Sequence, residues 1–258
     1  MSRTVALIQA RMSSSRFPGK VIADLGGRPM ISFMVDRVRA ARRLDDVVVV
    51  TSTDASDDAL VEALAATDTR VLRGNLHDVL DRYAEAAQAM EADVVVRLTG
   101  DCPLADPAVV DAVVELRETS GADYCSNVAP PTFADGLDVE CFTRAVLDRA
   151  RHEAGLPAER EHVTPWMRSP AAELRLANLV GLVDTSHLRL TVDYPDDLEM
   201  VRAVVARLGT DRPTFDQFDI LRCLTAEPGL LGLNRHARNE GMLKPQPSGD
   251  DGAGQNRS

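Results

Sequence analysis

Residues Gln9 to Lys20 read QARMSSSRFPGK and follow directly on the mostly apolar run Thr4-Val5-Ala6-Leu7-Ile8. The run has the length of a short buried strand. The segment after it sets Arg11, Arg16 and Lys20 among Ser13, Ser14, Ser15 and Gly19. A strand that empties into a cationic, Gly/Ser-rich loop is suited to a polyphosphate: guanidinium forks and loop N–H groups both donate to phosphate oxygens. In open α/β sheets ligands bind at such strand ends. The loop is not a Walker A sequence, which would place Gly at 14 and Ser or Thr at 21, where this chain has Ser14 and Val21.

Outward from that loop the chain alternates. Met30 to Arg43 has helical apolar spacing after Pro29, and Val47 to Val50 reads as a strand buried on both faces. Helices are expected over Asp57 to Ala66, Asp78 to Met90 and Pro107 to Thr119, with strands over Arg70 to Leu72 and Asp93 to Leu98. Strand–helix units in succession predict an α/β fold with a doubly wound, mostly parallel sheet. Between Ala122 and Leu182 the pattern changes to a small α+β insertion. Strands are expected there at Asp123 to Ser126, Leu137 to Phe142 and Leu174 to Leu179, with helices at Thr143 to Glu153 and Glu159 to Met167. Leu188 to Val192 reads as a further strand, followed by helices over Pro195 to Leu208 and Thr214 to Thr225. The domain is taken as residues 1–244, and the Pro/Gly/Ser-rich stretch 245–258 as a disordered tail.

Composition limits the possible partners. A 258-residue chain with 45% apolar content can bury one large core, and a net charge of −11 argues against a broad nucleic-acid surface. Four cysteines, Cys102, Cys125, Cys141 and Cys223, stand far apart without a C-x-x-C pair, which reads as reduced thiols. No leader or membrane-length apolar run is evident, so a soluble, cytoplasmic protein is expected, one that meets a small anionic ligand locally.

Two acids stand at strand ends. Asp101 follows Val94 to Leu98 through Thr99 and Gly100, and Asp193 follows Leu190-Thr191-Val192. Gly100 is expected to turn the backbone sharply. Two carboxylates beside a phosphate loop suit Mg²⁺, which takes oxygen ligands and keeps phosphates and waters in its other positions. Asp106, Asp196, Asp197 and Glu199 are explained instead as helix-cap and first-turn acids. In the insertion, Asp138 and Glu140 lie two apart on an expected strand and so on one face, while Glu161 and His162 lie on a short helix.

These segments resemble a known family. QARMSSSRFPGK, RGNLHDVLDRY (73–83), RLTGDCPLADP (97–107), DGLDVECF (135–142), EREHVTPW (159–166) and LTVDYPDDLEMV (190–201) are similar, in order, to the cytidylyltransferases of the spore-coat polysaccharide type. These are relatives of the enzymes that activate 3-deoxy-manno-octulosonate and sialic acid with CTP. The resemblance implies a glycosyltransferase-A-like nucleotidyltransferase fold and transfer of CMP from CTP to an acidic sugar, or a phosphate- or phosphonate-bearing acceptor, with release of pyrophosphate. It implies Arg11, Arg16 and Lys20 at the triphosphate, Asp101 and Asp193 at Mg²⁺, and a homodimer made through 122–182. Ala10, Ser13, Arg73 and Thr99 join the expected nucleotide pocket. Where the family loop commonly carries Gly, this chain has Ser13. A nucleotide-sugar-dependent glycosyltransferase and a non-catalytic nucleotide-binding protein are the alternatives.

Overall fold

The structure is a computed structural model that describes residues 2–209, 214–234 and 236. The expected tail, 245–258, lies outside the described residues.

The strands are β1 (Thr4–Gln9), β2 (Asp46–Ser52), β3 (Arg70–Gly74), β4 (Val94–Thr99), β5 (Tyr124–Ser126), β6 (Glu140–Thr143) and β7 (Leu176–Asn178). The α-helices are α1 (Met30–Val38), α2 (Asp58–Ala65), α3 (Val79–Ala89), α4 (Pro107–Ser120), α5 (Arg144–Glu153), α6 (Pro157–His162), α7 (Pro165–Arg168), α8 (Pro195–Leu208) and α9 (Gln217–Ala226). They surround one seven-stranded sheet of order β3-β2-β1-β4-β6-β5-β7. The first four strands are parallel, β6 runs antiparallel to both its neighbours, and β7 pairs parallel with β5. The 124–178 region thus continues the same sheet.

Strand alternation divides the core between the two faces. Ala6, Ile8, Val47, Val49, Val94, Val96 and Leu98 pack toward α1, α4, α8 and α9. Val5, Leu7, Val48, Val50 and Val95 pack toward α3, α5 and α7. Successive side chains of a strand point to opposite faces, so a sheet covered on both sides needs these unbroken apolar runs. At roughly 25 cal/mol per Å² this two-sided burial is the main stabilising contribution.

β1 lies between β2 and β4, so the chain leaves it in one direction and later returns on the other side. This reversal places the ends of β1 and β4 at the topological switch point, where a crevice opens. Arg37 braces that region from below. Fully buried, it donates to Leu104 O (3.3 Å), Ala105 O (3.1 Å) and Phe215 O (2.9 Å), with its guanidinium 4.0 Å from the Phe215 ring centroid. Burial lowers its pKa to about 10, against the opposing pull of Asp106 and Asp216. Asp106 caps α4 through Ala108 N and also accepts from Gln217 N at 2.7 Å.

Several segments differ from the sequence expectation. Leu188 to Val192 is extended but forms no named strand. It makes one parallel bridge, Arg189 to Asp135, and its Val192 N–H goes to Asp101 O (2.8 Å). The expected helix 159–167 is broken into α6 and α7 by Val163, whose φ is +69°. Pro165 contributes to the break by supplying no N–H to a continuous helix, while Thr164 before it keeps right-handed helical geometry. α1 ends at Val38, and β6 starts only at Glu140, so Asp138 precedes the strand.

Candidate active site

Asp57 anchors the loop after β1. This fully buried carboxylate accepts from Met12 N (2.7 Å) and, through its other oxygen, from Thr51 Oγ1 (2.9 Å), Ser52 N (3.1 Å) and Ser52 Oγ. Burial opposes its charge, but these donors outweigh burial and hold its pKa below the ordinary value. The loop then folds on itself, with Ser14 N and Gly19 N both donating to Met12 O at 2.9 Å. Gly19 has φ +75°, a left-handed geometry that costs glycine nothing and that delivers Lys20 inward.

Lys20 is the centre of the site. Its side chain is only 8% exposed, and Nζ donates to Val192 O (2.7 Å), Asp193 Oδ1 (2.9 Å) and Asp101 Oδ2 (3.2 Å). Burial disfavours the ammonium, yet Asp101 and Asp193 together raise its pKa above the ordinary lysine value. Asp101 and Asp193 respond in the opposite direction: burial works against each carboxylate, and Lys20 overcomes it and lowers both pKa values. Arg16 also reaches Asp193 Oδ1, at 2.7 Å, and its guanidinium lies 5.4 Å from the Tyr194 ring centroid. Arg11 pairs with Glu161 at 3.1 Å.

Gly100 brings β4 close to β1. Its N–H donates to Gln9 O at 2.7 Å, and a Cβ there would stand 3.0 Å from Ala10 Cβ and from Gln9 O. Closeness explains this glycine, since its φ is not left-handed.

The cavity measures about 550 Å³. Of the residues expected from the sequence, Ala10, Arg11, Arg16, Lys20, Thr99, Asp101, Asp138, Glu140, Glu161, His162 and Asp193 line it together. Two are placed elsewhere. Ser13 is exposed and outside the lining, which Ser14 and Ser15 join instead. Arg73 is held away by Ser52 O (2.7 Å), Asp54 O (2.9 Å) and Asp58 (2.8 Å), because β3 lies beyond β2 from the crevice.

The structure adds residues that sequence reasoning missed. Arg97, on β4, lines the cavity, makes a close ion pair with Glu140 and has its Nε buried without a partner. Tyr124 Oη also donates to Glu140, at 2.6 Å. Burial disfavours the Glu140 carboxylate, but Arg97 and Tyr124 hold its pKa below the ordinary value. A lone cation inside the apolar run VVVRLT was the available signal, since a buried arginine requires a partner. Arg189 was missed as well. It donates to Asp135 Oδ2 (3.1 Å), Asp193 Oδ2 (3.0 Å) and both oxygens of Asp197 (3.0 Å each). Asp197 was read as a first-turn acid and does cap α8, accepting from Asp193 N and Tyr194 N.

Asp101 and Asp193 fit a divalent cation, since both already direct an oxygen at one shared cationic atom, Lys20 Nζ. Among the described residues, no group of three or more His, Cys, Asp and Glu side chains is placed to hold a metal. Substrate oxygens and water would complete the coordination, as Mg²⁺ favours.

A mostly parallel sheet with a cationic loop and paired acids at its switch point is the arrangement of a nucleotidyltransferase, the class in which comparison with known proteins places this chain. A family profile described as "Cytidylyltransferase" matches residues 5–221, and the chain belongs to that family. It is 31% identical over 234 residues to the spore coat polysaccharide biosynthesis protein SpsF of Bacillus subtilis, covering 88% of this chain and 96% of the relative. A solved cytidylyltransferase from Leptospira borgpetersenii superposes with a TM-score of 0.86 at 30% identity, covering 92% of this chain and 99% of that one. A CMP:2-keto-3-deoxy-manno-octonic acid synthetase solved with CTP shares the fold, with a TM-score of 0.64 at 20% identity and coverage of 81% and 100%.

Proposed function

We propose that the chain is a Mg²⁺-dependent cytidylyltransferase that transfers CMP from CTP to an acidic sugar, or to a phosphate- or phosphonate-bearing acceptor, and releases pyrophosphate. The observation that carries this reading is the pairing across the cavity: Arg11 with Glu161, Arg16 with Asp193, and Lys20 with both aspartates. Each phosphate-directed cation is held ready by a carboxylate. A triphosphate takes over these cations without a large rearrangement of the loop, because Asp57 and Met12 fix the backbone that carries them.

An acceptor oxygen attacks the α-phosphorus, and the bond to the α–β bridging oxygen breaks. That oxygen leaves with pyrophosphate. Arg11, Arg16 and Lys20 offset the charge that grows on the leaving group, which places their largest effect in the transition state. Bound Mg²⁺ supplies charge neutralisation and alignment of phosphate oxygens, and Asp101 and Asp193 are the residues that would hold it. Ala10 and Thr99 face the nucleotide, and cytosine preference follows from the family.

Asp138, Glu140, Glu161 and His162 form the acceptor end of the cavity. The pKa of half-buried His162 is lowered first by burial, with Arg97 and Arg11 adding to the effect and Glu161 opposing it. The shift favours the neutral imidazole, which can accept a hydroxyl proton. Residues 122–182 serve the acceptor and a second copy of the chain. Leu176, Val180, Leu182 and Val183 leave exposed apolar surface at the β7 edge, which suits a homodimer contact. All four cysteines are free thiols, in keeping with a cytoplasmic protein, and no described helix is long and apolar enough to cross a membrane.

The test is pyrophosphate release from CTP, UTP, ATP and GTP with Mg²⁺, across sugar acids, sugar phosphates and phosphonates. Release with CTP and one acceptor class is the expected result. Sugar transfer from a nucleotide sugar without pyrophosphate would replace this reading with a glycosyltransferase.

A further inference from the structure

We infer that Lys20 closes the Asp101–Asp193 site to free divalent cations in the nucleotide-free protein, so that metal loads only with the nucleotide. The inference rests on the cytidylyltransferase reading, and deepens it by naming the metal–nucleotide complex, not the free metal ion, as the species the site accepts.

The argument starts from donor counting. An ammonium has three N–H donors, and Lys20 Nζ has three acceptors: Val192 O at 2.7 Å, Asp193 Oδ1 at 2.9 Å and Asp101 Oδ2 at 3.2 Å. The side chain is buried, so no water shell competes for those donors. Each oxygen of Asp193 already has a cationic partner. Oδ1 is shared by Lys20 and Arg16, while Oδ2 is held by Arg189.

A Mg²⁺ ion bridging these carboxylates would need about 2.1 Å to each oxygen. That position falls within the space of an ammonium about 3 Å from both, where like charges repel strongly in a partly dry site. Ammonium and metal are therefore alternatives. What separates them is a stronger anion. Triphosphate oxygens draw Lys20 and Arg16 away on their flexible stems and free Asp193 Oδ1, while Arg189 keeps its hold on Oδ2. Asp101 Oδ2 is freed in the same movement, and the metal arrives already bound to the phosphates.

The test is a titration with Mn²⁺ as the probe, following the free-ion signal by electron paramagnetic resonance in the absence of nucleotide. Wild-type protein is expected to leave the free Mn²⁺ signal undiminished. Lys20→Met is expected to bind one Mn²⁺ roughly tenfold or more tighter, by removal of the competing charge. Adding Asp193→Asn to that variant should abolish the binding. Binding by wild type as tight as by Lys20→Met overturns the inference, and so does the absence of binding by a folded Lys20→Met protein. If Lys20→Met does not fold by circular dichroism, Lys20→Gln takes its place, and nucleotide-free Mn²⁺ binding by wild type that Asp101→Asn removes still overturns it. CTP binding measured separately by calorimetry with Mg²⁺ present keeps the two readings apart: its absence refutes the cytidylyltransferase reading, while the nucleotide-free metal comparison stands.

Discussion

Arg189 Nη2 donates to Asp193 Oδ2 at 3.0 Å, so this guanidinium holds the oxygen that Lys20 and Arg16 leave untouched. The same fork reaches Asp135 and Asp197. One side chain thereby ties the 135 segment, the aspartate of the site and the start of α8 together.

Replacing the fork with a single ammonium tests this positioning. Arg189→Lys keeps the charge but gathers its donors on one nitrogen, losing the planar fork that reaches Asp135, Asp193 and both oxygens of Asp197. Activity is expected to fall roughly ten- to a hundredfold, as for outer residues that orient a metal ligand. The Mg²⁺ concentration for half-maximal rate should rise with it. A simple loss of stability would lower the melting temperature and leave that metal dependence unchanged.

Asp101→Asn separates catalysis from folding. The exchange nearly keeps shape, and Lys20 retains Asp193 and Val192 O as partners. Pyrophosphate release is expected to drop on the order of a hundredfold or more. The urea midpoint should shift little by comparison. Equal losses in rate and stability would count against a metal role for Asp101.

Gly136→Ala strikes the backbone approach that brings Asp135 to Arg189. Gly136 has φ +106°, and an added Cβ would lie 2.6 Å from Thr191 N and 2.7 Å from Leu190 C. These are main-chain atoms and cannot rotate aside. A loss of about 3 kcal/mol or more in unfolding free energy is expected, from strain and displacement combined. Denaturant unfolding gives the value, and CTP titration of the folded fraction should show weakened binding.

The Arg97–Glu140 pair predicts a pH dependence. Glu140 has a depressed pKa in the folded chain, so its contribution is present above the ordinary glutamate value and is lost as pH falls through the folded value. Melting temperature should therefore decline on acidification below about pH 4.5, more steeply than in Glu140→Gln. At pH 7 that variant should be less stable by about 3 kcal/mol, because Arg97 remains buried and only partly satisfied. Equal acid slopes in the two proteins would refute the assignment.

Local chemistry made much of the fold readable in advance. The continuous valines of β2, the strand-end positions of Asp101 and Asp193, and Pro195 at the start of α8 each carry a signal within a few residues. What was misread depends on distant partners. Leu188 to Val192 alternates like a strand but runs between the Asp135 segment and Asp101, with no ladder to join. Arg189 and Asp135 lie 54 positions apart, and nothing near either one announces the other. Arg73 was expected in the nucleotide pocket, whereas the sheet order sets β3 beyond β2 from the crevice and Ser52 O, Asp54 O and Asp58 hold its side chain there. The end of α6 was partly within reach, since Pro165 lacks the N–H that a continuous helix would need there and suits the first position of a new one.

The brace between Arg37, the 104–105 carbonyls and Phe215 bears on how this gene tolerates shortening. Every residue that lines the cavity precedes position 194, so a product ending at Gly209 would keep the full inventory of chemistry. It would nonetheless lose the Phe215 carbonyl and ring, and the Gln217 amide that Asp106 receives. Arg37 would be left buried with fewer acceptors beneath the turn that carries Asp101. The distal helix is therefore a scaffold that trimming cannot spare, and deletion libraries should show inactivity beginning well downstream of the last residue that meets a ligand.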